Sequence, residues 1–101
     1  MRTIYKYYVM PYAKSTIQMP AGRKILEVGY DLESRICIWA FVDTEAELHA
    51  NTVIMLGTGW DSSLIEEDYG LSMKDFDYIG TVNGEYIWHY FIKEEEKKEE
   101  N

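Results

Sequence analysis

The chain has 101 residues, 47% of them hydrophobic and 15% aromatic, with a net charge of −8. That length makes one domain with material for a core, while two Pro and seven Gly are too few for low-complexity disorder. No apolar run nears the ~18 residues of a membrane span, the N-terminal "MRTIYKYYVM" alternates and carries Lys6 unlike a secretion signal, and the single Cys37 offers no disulfide framework, so the expected compartment is the cytoplasm.

"TIYKYYV", 3–9, is rich in β-branched and aromatic residues and predicts a strand. "STIQM", 15–19, predicts a second, and "PAG", 20–22, turns the chain. "KILEVGY", 24–30, alternates, with Leu26, Val28 and Tyr30 on one face and Ile25, Glu27 and Gly29 on the other. After the turn "DLES", 31–34, the run "RICIWAFVD", 35–43, is apolar on both faces, the pattern of a central strand covered on both sides. Over 43–49, Thr44 and Glu47 stand at capping-box spacing and predict a helical turn or two. "NTVIML", 51–56, predicts the next strand.

In "DYIGTVNGEYIWHYFI", 77–92, Asn83-Gly84 between two β-rich runs predicts a two-residue type I′ hairpin. That register sets Ile79 opposite Trp88 and Tyr78 opposite His89. The connection 57–76 is about twenty residues long, which in a small domain is functional or hides a helix. Ser63 and Glu66 are spaced as a capping box, so a short helix is expected near 64–69, stopped by Gly70. The expected architecture is a mainly β domain over 1–92, an antiparallel sandwich or small barrel of about seven strands. One short helix lies in the 61–70 connection, and a charged tail occupies 93–101.

Catalytic patterns are absent. Gly57-Thr58-Gly59 lacks the Gly-Lys-Ser/Thr of a phosphate loop and opens no long helix. Two readings remain: backbone N–H groups presented to an anion, or glycines that let a strand end. His49 and His89 lie forty residues apart without a neighbouring ligand at metal spacing, so no metal or cofactor is expected. Cys37 sits in an apolar run, the setting of an inert thiol, and Ser62 and Ser63 lack an elbow motif. The expectation is a protein that is not an enzyme. Trp39 and Trp88 read as core or as part of a stacking platform. Trp60 is a large ring in a polar, Gly-bounded loop, as binding anchors are.

Charge is divided along the chain. Residues 1–35 hold six basic and three acidic groups, whereas 36–92 hold ten acids and only Lys74. Direct nucleic-acid binding fits poorly with that balance. A small nucleotide needs fewer cations, and Arg23, Lys24 and Arg35 stand around two consecutive turns.

The ordered patches "TIYKY", "AGRKILEVGY", "CIWAFVD", "GTG", "YIGT" and "YIWHYF", spread over roughly 3–92, resemble a family of short phage and prophage proteins with no settled biochemical role. Its members usually carry His-Pro after GTG, where this chain has Trp60-Asp61 and a longer, more acidic insert, 61–76. The resemblance implies a compact β-rich domain, an origin on a mobile element and work by binding, of which counter-defence is a common form.

Three functional expectations follow. The first is a cytoplasmic homo-oligomer that sequesters a nucleotide-type immune signal with Gly57, Thr58, Gly59, Trp60, Arg23, Lys24 and Arg35. The second is an acidic inhibitor that sets Asp61, Glu66, Glu67, Asp68, Asp75 and Asp77 on a basic surface of a host defence enzyme. The third is a phage accessory protein with no defence role.

Overall fold

A computed structural model describes residues 1–95. Seven strands run in chain order: β1 (Arg2–Tyr8), β2 (Lys14–Pro20), β3 (Lys24–Tyr30), β4 (Ile36–Asp43), β5 (Leu48–Gly57), β6 (Asp77–Asn83) and β7 (Ile87–Glu94). Between β5 and β6 lie one helix, α1 (Ser62–Tyr69), and a short 3-10 turn (Met73–Asp75). The strands form two antiparallel sheets, β1-β4-β3 and β2-β5-β7-β6, which do not close into a barrel. The expected mainly β architecture is therefore present in its sandwich form. β7 extends into the charged tail as far as Glu94; the rest of the expected tail, 96–101, lies outside the described residues.

The core lies between the sheets. Ile38, Ala40 and Val42 of β4 and Val28 of β3 meet Met19, Val53, Met55, Val82, Tyr90 and Ile92 of the other sheet. Alternation puts Trp39 and Phe41 on the opposite face of β4, where Phe41 is exposed and Trp39 half-buried. The expectation that both faces of β4 are covered is thus corrected: β4 is central, but its sheet has one solvent face. In sheet two the reverse holds. Ile54 points away from the core by alternation and is still fully buried, as is most of Ile65 on α1, the only buried residue of that helix.

Three further readings need correction. In β3 a bulge between Ile25 and Glu27 makes Leu26 the extra residue, so Ile25 and Val28 face the core and Leu26 is exposed. Residues 43–47 form a turn closed by Ala46 N–H donating to Asp43 C=O (3.1 Å), and Leu48 already starts β5; Thr44 Oγ1 donates to the Met1 carbonyl and caps nothing. A helical turn there would remove the β2 pairing of Leu48 and His49.

The β6–β7 hairpin has a three-residue loop, 84–86, with Asn83 opposite Ile87, Val82 opposite Trp88 and Thr81 opposite His89. Neither Asn83 nor Gly84 has positive φ, so the turn is not type I′. Tertiary packing decides this: a Cβ on Gly84 would collide with the Tyr30 hydroxyl, so the glycine serves the approach of a distant side chain. A second bulge, between Tyr78 and Gly80, shifts the register further.

Candidate functional site

The "GTGW" stretch is a tight turn. Trp60 N–H donates to Gly57 C=O (3.1 Å), and Gly59 has φ 85°, the positive value a type II turn requires at its third residue. With that N–H engaged, the turn is no open anion nest. Its effect is on Trp60, whose indole lies directly over Gly57: a Cβ there would fall 2.7 Å from Nε1. The ring meets Trp88 edge to face, centroids 5.3 Å apart, and remains 51% exposed.

Trp60 and Trp88 line a hollow of about 930 Å³ at this end of the sandwich. Five tyrosines complete it: Tyr8, Tyr12, Tyr30, Tyr69 and Tyr90. Tyr90, Met55 and Ile36 reach it from the core side, while Tyr8, Tyr12, Tyr30 and Tyr69 are exposed. Exposed aromatics gathered on one apolar concavity are characteristic of a binding site.

Arg35 is the cation of this hollow. Its guanidinium lies 4.1 Å from the Tyr8 ring centroid, and Nη2 donates to Tyr8 Oη (2.6 Å). Glu33 at 2.9 Å and Asp31 at 3.5 Å share its charge. The Asp31 carboxylate organises the loop: it accepts the backbone N–H groups of Arg35 and Glu33, both at 2.9 Å, and Lys6 Nζ at 3.2 Å. These bonds, that from Arg35 foremost, lower its pKa to about 2. Ser34 in the same loop has φ 62°, a left-handed conformation that non-glycine residues seldom adopt.

The predicted cation cluster does not form. Arg23 and Lys24 stand at the start of β3 and Arg35 lies beyond its end, and seven extended residues separate them by ~20 Å. Arg23 is a structural residue. Its Nε donates to Oδ1 of the fully buried Asn51 (2.8 Å) and lies 3.8 Å from Glu94. Lys24 is exposed opposite Phe41. Two lysines also touch rings of the hollow: Lys6, which Asp31 holds, 5.1 Å from the Tyr8 centroid, and Lys14, 5.5 Å from the Tyr69 centroid. Nothing local in the sequence marks Lys14, because it reaches Tyr69 across the fold.

The acidic segment is also divided. Asp61 caps α1 by accepting Ser63 N–H (2.9 Å), its pKa lowered by the Ser63 side chain first and by that N–H second, and Glu66 accepts Met73 N–H (3.2 Å). Glu67, Asp68, Asp75 and Asp77 are exposed. Both histidines have a polar partner at each ring nitrogen. His49 Nδ1 is 3.0 Å from Glu94 and Nε2 3.0 Å from Glu47. His89 Nε2 lies 2.7 Å from Thr58 Oγ1 and Nδ1 2.9 Å from Thr81 Oγ1, which itself meets the Tyr78 hydroxyl. Both ring nitrogens of His89 thus face threonine hydroxyls, Thr58 on one side and Thr81 on the other.

Among the described residues no group of three or more His, Cys, Asp or Glu is placed to hold a metal ion, and no helix is long and apolar enough to cross a membrane. Fold and site together define an open two-sheet β-sandwich with an aromatic hollow at one end. The chain belongs to the family described as a domain of unknown function, DUF7352, whose model matches residues 1–101. No curated protein and no solved structure matches it.

Proposed function

We propose that this protein binds, without transforming it, a small nucleotide-type ligand in the hollow bounded by Trp60 and the five tyrosines. One observation supports the reading above others: seven aromatic side chains converge on one concavity with a single guanidinium at its rim. Trp60 and the rim tyrosines offer faces for a base, and base–aromatic stacking is worth about 1–3 kcal/mol per base. Arg35 offers a fork for phosphate. Because Asp31 and Glu33 already share its charge, a ligand with one phosphate fits better than a polyphosphate. Arg23 and Lys24 drop out of the site, and Lys14, together with Lys6 held by Asp31, takes their place.

Under the resemblance to short phage and prophage proteins, the ligand is a bacterial immune signal and the protein a cytoplasmic sponge for it. A second copy covering the exposed rim would enclose the ligand. The acidic-inhibitor alternative rests on Glu67, Asp68, Asp75 and Asp77, since Asp61 and Glu66 are engaged in holding α1 and its exit.

The test is thermal unfolding against a panel of mononucleotides, cyclic oligonucleotides and ADP-ribose-type compounds. A compound at 100 times its Kd stabilises the native state by about 2.7 kcal/mol, a shift of many degrees for a domain of this size. The expected result is a shift with one class, lost in Trp60→Ala and reduced in Arg35→Gln. No shift across the panel refutes the proposal and directs the search to a basic protein partner.

A further inference from the structure

Beyond the large hollow, a second concavity of about 510 Å³ adjoins it across the Trp60–Trp88 pair, lined by those two rings with Tyr86, Glu85, Thr58 and Gly57. Trp88 meets each of the other two rings at an angle. Trp60 is inclined 85° to Trp88, and Tyr86, 5.9 Å from Trp88, is inclined 51°. Faces so inclined suit a compact group better than a flat ring, which needs parallel walls. The charged side chain lining this space is the carboxylate of Glu85. Among the described residues no cation pairs with Glu85 and none sits over these three rings; the cation–ring contacts are those of Lys6 and Arg35 on Tyr8 and of Lys14 on Tyr69.

We infer that Trp60, Tyr86 and Trp88, with Glu85, form an aromatic cage for an organic ammonium group. The negative faces of the rings attract a cation, and a methylated ammonium has little hydration to lose on entering. The Glu85 carboxylate supplies the countercharge, and the net charge of −8 favours the approach of a cation. The hairpin loop holds the wall in place, as Gly84 N–H donates to Tyr86 C=O (3.1 Å).

The probe is choline, compared with 3,3-dimethylbutan-1-ol, its neutral counterpart of the same shape. The indole N–H signals of Trp60 and Trp88 are followed by NMR in the whole protein. The expected result is a saturable shift with choline that is absent with the neutral compound. Tyr86→Ala and Glu85→Gln change exposed residues, so the fold survives, and each should weaken choline binding about fivefold or more. Arg35→Gln leaves choline binding unchanged while weakening any ligand of the large hollow, which separates this inference from the preceding proposal. Equal binding of the two probes, or no saturation by either, overturns the cage. A peptide carrying trimethyl-lysine identifies the source. Tighter binding of the peptide assigns the ammonium to a partner side chain and tighter binding of choline to a free compound; both support the cage.

Discussion

Gly57→Ala tests how the turn places Trp60. The new Cβ would lie 2.7 Å from Nε1, 2.8 Å from Cε2 and 3.1 Å from Cδ1 of the indole, so the ring must leave its seat. Gly57 does not have positive φ, so the backbone tolerates alanine and the whole effect falls on Trp60. Losing the edge-to-face contact with Trp88 removes about 0.5–1.5 kcal/mol. Alanine returns about 0.4–1 kcal/mol by narrowing the unfolded ensemble. The net loss is at most ~1 kcal/mol, a Tm change of no more than ~8 °C. The main readout is therefore optical: near-ultraviolet circular dichroism should lose the signal of the coupled indoles, and ligand binding in both concavities should weaken with the fold intact. An unchanged spectrum together with unchanged binding would refute the idea that Gly57 sets the position of Trp60.

Gly80→Ala should be more damaging. Gly80 has φ 150°, and a Cβ would fall 2.7 Å from Cγ1 of the buried Val28, where β6 meets β3 without a hydrogen-bonded ladder. A loss of about 2 kcal/mol or more is expected as a lower urea midpoint with unchanged m-value; an unchanged midpoint contradicts it. His49 should make stability depend on pH. Both ring nitrogens face carboxylates at 3.0 Å, an arrangement that satisfies both only in the imidazolium form, and the bonds to Glu47 and then Glu94 raise its pKa above the ordinary 6.5. A raised folded-state value stabilises the native state fully below pH 6.5, and the contribution fades as pH rises through the folded value. Unfolding midpoints between about pH 6 and 8.5 should show this slope in the native protein and not in His49→Gln; equal slopes would show that His49 is not its source.

Much of the fold was legible locally. β3 begins and ends where alternation placed it, and α1 is stopped by Gly70 with φ 62° as predicted, although its cap is Asp61 and the expected cap, Ser63, already lies inside the helix. Cues that looked local and were not account for the errors. Asn83-Gly84 resembles a type I′ turn, but Gly84 makes room for Tyr30, fifty-four positions earlier. Thr44 and Glu47 resemble a capping box, but pairing with β2 holds Leu48 in a strand. In the site, Trp60 stood out as a large ring in a polar loop. Tyr8, Tyr12, Tyr30, Tyr69 and Tyr90 did not, since each alone reads as an ordinary strand or turn aromatic.

The sequence by itself determined the class of molecule: a mainly β fold with a short helix in its longest connection, rich in aromatics, acidic, and without a recognisable catalytic motif. Strand periodicity, capping and composition act over a few neighbouring residues, so they survive reading one residue at a time. Only the tertiary structure decided that the sheets stay open, that Arg35 and Lys14 stand near the aromatics while Arg23 joins Asn51 and Glu94, and that Trp60 separates two concavities. These are contacts between residues tens of positions apart, chosen by which side chains the packed sheets bring together, and no local pattern encodes that choice.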